Sequence, residues 1–232
     1  MNVLKFLCDT LCMDKREIIL FSITSPHRYK TYAIPKRNSN KKRIIAHPSK
    51  ELKFIQRALV SFLEKKLLIH ECAFAYKPGI GIKNNAQIHL KTKYLLKMDF
   101  ENFFPSISPE LFFFLLHRSG LEFSESDAYL LRNFLFWKET RSSPLRLSIG
   151  APSSPLISNF IMKYFDEEMR SKCNDKKIKY TRYADDLTFS SNVKNVLFEI
   201  PNIVSSVLEK EKSIDISNDL NSSFATVVPQ KN

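Results

Sequence analysis

The sequence predicts an α+β fold, in which short antiparallel strands and amphipathic helices occupy separate stretches of chain. Three observations predict it. Residues 179–191, KYTRYADDLTFSS, place Asp185 and Asp186 between two runs rich in β-formers, the pattern of a hairpin with an acidic pair at its tip. Residues 29–34 (YKTYAI) and 43–46 (RIIA) flank a polar, basic loop and read as a second hairpin. Residues 52–68 and 156–169 carry apolar side chains at helical spacing.

Taken in order, Val3 to about Phe21 has the spacing of one or two short helices, ended by Ser25-Pro26-His27. The basic hairpin follows, with Pro35 and Pro48 punctuating it. Leu52, Ile55, Leu59, Phe62 and Leu63 then form the apolar stripe of a helix. Gly79 and Gly81 mark a bend before another helix, for which Asn84 or Asn85 is the expected N-cap. Residues 94–98 (YLLKM) read as a strand running into Asp99. Helices are expected over Glu110–His117 and 125–137, separated by a turn from the basic loop Arg141–Arg146. Gly150, Pro152 and Pro155 shape a tight loop, with Ser153 or Ser154 capping one helix from Leu156 to Met169. After the acidic hairpin come a helix over Val193–Glu209, a short strand over Ile214–Ile216 and a polar tail.

No apolar run reaches the roughly 18 residues of a membrane span, and the N-terminus has no signal-peptide pattern. A cytoplasmic protein with no membrane partner is expected. Cys8, Cys12, Cys72 and Cys173 do not complete a zinc pattern and read as reduced, mostly buried thiols. The net charge of +12 is unevenly placed. Residues 1–98 hold 20 Lys/Arg against 6 Asp/Glu, a net +14, whereas residues 99–232 hold 16 against 18, a net −2. Ten basic residues and one acid, Glu51, lie between Arg28 and Arg57. Basic charge segregated from acidic charge suits a protein that grips a polyanion beside a metal site.

Adjacent carboxylates repel, so Asp185 and Asp186 call for a cation or a hydrogen-bond network. Oxygen ligands on a rigid turn suit Mg²⁺, which takes one or two carboxylates together with substrate phosphates. A bare Asp-Asp pair is more often a solvated turn, and a lone helix histidine such as His89 is more often a satisfied structural group. An antiparallel sheet would bring Asp99, at the end of its strand, beside the acidic hairpin. Arg and Lys on the first hairpin suit phosphate oxygens.

These pieces together resemble a retron-type reverse transcriptase. RYADDLTFS resembles the metal-binding turn, LKMDFENFF the motif with the other catalytic acid, and IGAPSSPLISN the loop-helix contacting primer and nucleotide. IPKRNSNKKRIIAHP resembles the fingers hairpin, and NAQIH the family's NAxxH signature. The resemblance implies a right-hand polymerase of fingers and palm, with an antiparallel palm sheet packed on helices. Its expected segments are an N-terminal helical extension (1–25), fingers (26–92), palm (93–120 and 147–216), a helical insertion (121–146) and a polar tail (217–232). Ile149 stands where many relatives carry glutamine. The lysine-bearing strand, VTG motif and thumb of relatives are not visible, so the thumb is expected to be absent or truncated.

The resemblance further implies that Asp99, Asp185 and Asp186 converge to bind two Mg²⁺ ions. Arg43, Lys36 and Lys41 would hold the dNTP phosphates, Phe104 would exclude a 2′-OH, and Gly150 would admit the nucleotide. Asn85, His89, Arg28 and Lys30 would contact RNA. The implied activity is synthesis of single-stranded DNA (msDNA) on a structured noncoding RNA, primed in the family from an internal guanosine 2′-OH. The implied setting is anti-phage defence with an effector of the ATPase and HNH nuclease type. The alternatives are a truncated, catalytically weak module that binds RNA or effector, and a non-templated nucleotidyl transferase.

Overall fold

The computed structural model describes residues 2–35 and 42–214. The chain divides into two compact units, Met1–Leu67 with Phe104–Ile157, and Leu68–Phe103 with Ser158–Asn232. The segment 26–92, expected as fingers, is shared between them.

The first unit begins with helices α1 (Val3–Leu11) and α2 (Lys15–Thr24). Asn2 caps α1 through Lys5 N–H, and the buried carboxylate of Asp127 accepts from Val3 and Leu4 N–H at 3.0 and 3.1 Å. An anion on the exposed amides of a helix start offsets its dipole, typically by about 0.3–1 kcal/mol. Asp14 and Glu17 form a capping box on α2. A 3₁₀ turn, Ser25–His27, ends the pair where proline was expected to end it. Strands β1 (Tyr29–Pro35) and β2 (Lys42–Pro48) form an antiparallel hairpin, from Tyr29 opposite Pro48 to Pro35 opposite Lys42.

Ser49 caps α3 (Lys50–Leu63), whose Leu52, Ile55, Leu59 and Leu63 are buried. Each such side chain contributes roughly 1.5–3 kcal/mol by leaving water. Helices α5 (Pro109–Arg118) and α6 (Glu125–Leu135) complete this core, with Phe112 packed on Phe136. The helix expected to reach Trp137 stops at Leu135, because Trp137 turns into a β-bridge with Arg146.

The second unit holds α4 (Ile82–His89), β3 (Tyr94–Asp99), α8 (Lys163–Asp175), β4 (Lys179–Tyr183), β5 (Asp186–Ser191) and α9 (Ile200–Ile214). Its sheet is antiparallel with order β3-β5-β4. Helix α7 (Ser154–Ile161) runs from one unit into the other.

Several expectations are corrected here. Neither Asn84 nor Asn85 is the N-cap of α4: Gly81 is, and the Asn84 side chain reaches back to accept from Gly81 N–H at 2.9 Å. The helix expected over Leu156–Met169 is two helices, α7 and α8, interrupted at Met162. The hydroxyls of Ser153 and Ser154 are buried without a hydrogen-bond partner among the described residues, rather than capping α7. The helix expected from Val193 starts at Ile200, after Asn195 (φ 66°) and a 3₁₀ turn, Val196–Glu199. Ile214 is helical, not strand, and Asp215 and Ile216 lie outside the described residues. The thumb expectation also concerns residues outside them. Cys72 and Cys173 are buried, but Cys12 is exposed at the left-handed end of α1. Among the described residues no helix is long and apolar enough to cross a membrane.

Candidate active site

The acidic hairpin forms as its sequence predicts. β4 and β5 pair from Lys179 opposite Ser190 to Tyr183 opposite Asp186, leaving Ala184 and Asp185 as the connecting turn. Ala184 adopts φ 57°, a left-handed conformation that tight hairpin turns require and that alanine disfavours. On the other edge of β5, β3 pairs in a register that sets Asp99 opposite Asp186. Directly opposed residues of an antiparallel pair point to the same face, with Cα atoms about 4.5–5.5 Å apart. Phe100 N–H donates to the Asp185 carbonyl at 3.2 Å, tying the end of β3 to the turn. Asp99 and Asp186 are exposed and Asp185 is half-buried.

Burial raises the Asp186 pKa, the neighbouring Asp185 carboxylate raises it further, and Lys97 opposes both. No group of three or more His, Cys, Asp or Glu side chains among the described residues is arranged to hold a metal ion. The register places Asp99 and Asp186 at facing positions, beside the turn that carries Asp185. The donor set suits a hard divalent cation: carboxylate oxygens alone, on adjacent strands and one turn.

The sequence did not reveal what holds this turn. Arg182 and Asp166 are fully buried and paired, with Arg182 Nη2 2.7 Å from Asp166 Oδ2 and Nε 3.0 Å from Oδ1. Tyr180 donates its hydroxyl to the same carboxylate at 2.7 Å. Burial alone would depress the Arg182 pKa; the Asp166 carboxylate outweighs it and the net direction is up. The expected acids are not neutralised by this arginine, whose carboxylate partner is Asp166.

His89 and Asn85, expected at an RNA surface, are 9% and 8% exposed. His89 lies between the two strands of the hairpin, with Nδ1 2.7 Å from Ser190 Oγ and Nε2 2.7 Å from Thr181 Oγ1. Burial, and then Lys179 and Lys97, push its pKa down to about 4, so the ring is neutral. This placement is that of a brace between α4 and the hairpin. The Asn85 Oδ1 is buried without a partner among the described residues.

In the first unit, Gly150 (φ 123°) packs against β2: an added Cβ would meet His47 Nδ1 at 3.0 Å and the Ala46 carbonyl at 3.2 Å. Ala46 N–H donates to the Ile149 carbonyl at 3.0 Å, which anchors the loop to the strand. A glycine is thus required here by the backbone itself. Arg43, on the same strand, is exposed, as is Lys30 on β1. Arg28 is occupied within the chain, donating from Nε to Thr24 Oγ1 and lying 4.1 Å over the Phe21 ring. Phe104 is half-buried in a 3₁₀ turn, Phe104–Ser106. Lys36 and Lys41 lie outside the described residues. The acids with His89 and Asn85 thus belong to one unit, and Arg43, Gly150, Arg28, Lys30 and Phe104 to the other.

Comparison with known proteins adds the family. The family model for reverse transcriptase (RNA-dependent DNA polymerase) matches residues 34–219. The chain is 48% identical over 183 residues to the retron Ec83 reverse transcriptase of Escherichia coli, covering 78% of this chain and 58% of that protein. It is 40% identical over 178 residues to the retron Ec73 reverse transcriptase of the same organism, covering 73% of this chain and 55% of that protein. The chain therefore spans little more than half the length of these relatives. A solved structure of telomerase from Candida albicans, in complex with a TWJ fragment of telomeric RNA, is similar with a TM-score of 0.51. That match has 12% identity over 87% of this chain and 43% of the other, a likeness of fold.

Proposed function

We propose a function from one premise: the chain belongs to the reverse transcriptase family, in its retron-type branch. On this reading it is an RNA-directed DNA polymerase that copies part of a structured noncoding RNA into msDNA within an anti-phage defence system. The observation that carries the reading is the register that sets Asp99 opposite Asp186, with Asp185 on the adjoining turn. The fold of the second unit corresponds on this reading to the palm, and the β1–β2 hairpin to the fingers.

Asp99, Asp185 and Asp186 would hold two Mg²⁺ ions, whose chemistry is to activate the primer hydroxyl and neutralise charge on the leaving pyrophosphate. The protein's own share is positioning. Exposed Arg43 would fork onto the triphosphate, assisted by Lys36 and Lys41. Gly150 would let the backbone approach the nucleotide, and Phe104 would crowd a 2′-OH. Lys30 and Arg28 would meet the RNA backbone, with Arg28 giving up its contact to Thr24. Asn85 and His89 would act at one remove, by seating α4 beneath the RNA-facing surface. The ATPase and HNH nuclease effector is part of the same proposal.

The test is primer extension on an RNA template with Mg²⁺ and dNTPs, wild type against Asp185→Asn. The expected loss is roughly 10²–10³-fold or more, the scale of removing one group that stabilises developing charge. Equal extension by both proteins would overturn the reading. Salt-sensitive RNA binding with no DNA product from either would identify the binding-module alternative. Extension without a template would identify the non-templated transferase.

A further inference from the structure

We propose that Arg182, seated by Asp166 and Asn159, is a positioning residue that sets the direction of the Asp185 side chain. The inference rests on the polymerase reading and deepens it. Asp185 sits between two peptide planes, and each plane is held by a hydrogen bond from outside the turn. The plane before it carries the Ala184 carbonyl, which accepts from Arg182 Nη1 at 2.9 Å. The plane after it carries the Asp185 carbonyl, which accepts from Phe100 N–H at 3.2 Å. Fixing both planes fixes φ and ψ of Asp185 and therefore the direction of its Cα–Cβ bond. Alanine has no side-chain means of holding its own left-handed conformation at φ 57°, so the hold must come from outside.

The guanidinium is itself immobilised. Nε and Nη2 take both oxygens of Asp166, and Nη1 is shared between Ala184 and Asn159 Oδ1 at 3.1 Å. Asn159 in turn donates to the Ala75 carbonyl at 3.0 Å. The Arg182 backbone is clamped between Cys72 and Phe74, donating to the Cys72 carbonyl and accepting from Phe74 N–H, both at 2.8 Å. Helices α7 and α8, the segment 72–75 and β4 thus converge on one carbonyl of the turn. Buried ion pairs are poor sources of net stability compared with apolar packing, and their best-attested use is to specify one conformation. Here the specified conformation is that of the residue bearing a proposed metal ligand. Lysine cannot replace the fork: it is a point charge whose donors do not reach two carboxylate oxygens, an amide oxygen and a turn carbonyl together.

The experiment compares the full chain with Arg182→Lys, and uses Asp185→Asn as background. Folding is checked by circular dichroism and melting. For folded Arg182→Lys we expect kcat to fall about tenfold or more, the half-saturating Mg²⁺ concentration to rise several-fold, and KM for dNTP to stay within about twofold. Unchanged kcat and unchanged Mg²⁺ dependence would overturn the proposal. If Arg182→Lys does not fold, the same measurements are made on Asn159→Ala, which spares the Arg182–Asp166 pair; wild-type values there overturn it equally. Should the wild type show no extension above background, the polymerase reading fails separately. The positioning inference is then read from the rise in melting temperature on adding Mg²⁺, expected to be smaller in the variant and overturned if equal.

Discussion

Two hairpins of similar size are built in opposite ways. In β1–β2 only Ala46 and Pro48 are buried, and Tyr32, Ile34 and Ile44 are 45, 44 and 41% exposed. In β4–β5 only Lys179 and Asp186 are exposed. The buried hairpin is also the more polar inside: Thr181, Arg182, Thr188, Ser190 and Ser191 are all buried. Buried polar groups must be paired, so each one commits a neighbour. His89 serves Thr181 and Ser190, Asp166 serves Arg182 and Tyr180, and the Lys177 carbonyl accepts from Ser191. A hairpin that presents acids in one place is tied down by directional contacts. The other is held by its ladder and by a few contacts at its Tyr29–Pro48 end, such as Ala46 N–H to the Ile149 carbonyl and Gln56 to the Tyr29 hydroxyl, and most of its side chains stay exposed. Substitutions in the first should therefore cost stability and, on the proposed function, substitutions at exposed positions of the second should cost binding.

The sharpest test of the buried side is Asp166→Asn. It leaves a fully buried arginine without its counter-charge, a loss of about 3–5 kcal/mol. Chemical denaturation of variant and wild type measures it. A loss under about 1 kcal/mol would mean that the network is not what ties the hairpin down.

That network is also where the sequence was least informative. The acidic tip was legible because β-formers flank a turn-forming pair, and Asp99 was legible because an apolar strand ends on it. An antiparallel sheet then left little choice of register. Arg182 carried no such signal: an arginine in a strand next to acids reads as a surface residue, and its partner lies 16 positions away with no periodicity linking them. The break at Met162 was hidden for a related reason. The buried faces of α7 and α8 stay in phase, so Ile157, Phe160, Phe165 and Met169 look like one continuous stripe. Gly81 was missed as a cap because asparagine is the usual choice, whereas here Asn84 serves from within the helix.

His89 gives the next largest effect and a direction with pH. Its pKa falls from 6.5 in the unfolded chain to about 4 in the folded one, so the unfolded chain binds the extra proton between those values. The stability linked to His89 is therefore complete above pH 6.5 and is lost as pH falls toward 4. Allowing for solvent screening, the loss is at most roughly 2 kcal/mol. Melting curves between pH 7 and 4, for wild type and for His89→Gln, measure it; the variant should show the shallower decline. Identical slopes would place the brace elsewhere.

The smallest effect on stability, and the one that separates the two hairpins most cleanly, belongs to Arg43→Gln. Arg43 is exposed on β2 opposite Ile34, one pair before the ladder's last pair, Pro35 with Lys42. Removing its charge should change the unfolding free energy by less than about 0.5 kcal/mol, as for most surface positions. The same change should raise KM for dNTP about tenfold or more, because a charge-assisted bond to phosphate is worth roughly 1.5–3 kcal/mol. Steady-state kinetics beside a denaturation curve reads both quantities from one variant. A stable protein with weakened nucleotide use fits a hairpin whose side chains are reserved for a ligand. A destabilised protein with unchanged KM would mean that β1–β2 is held by its side chains after all, and the contrast with β4–β5 would disappear.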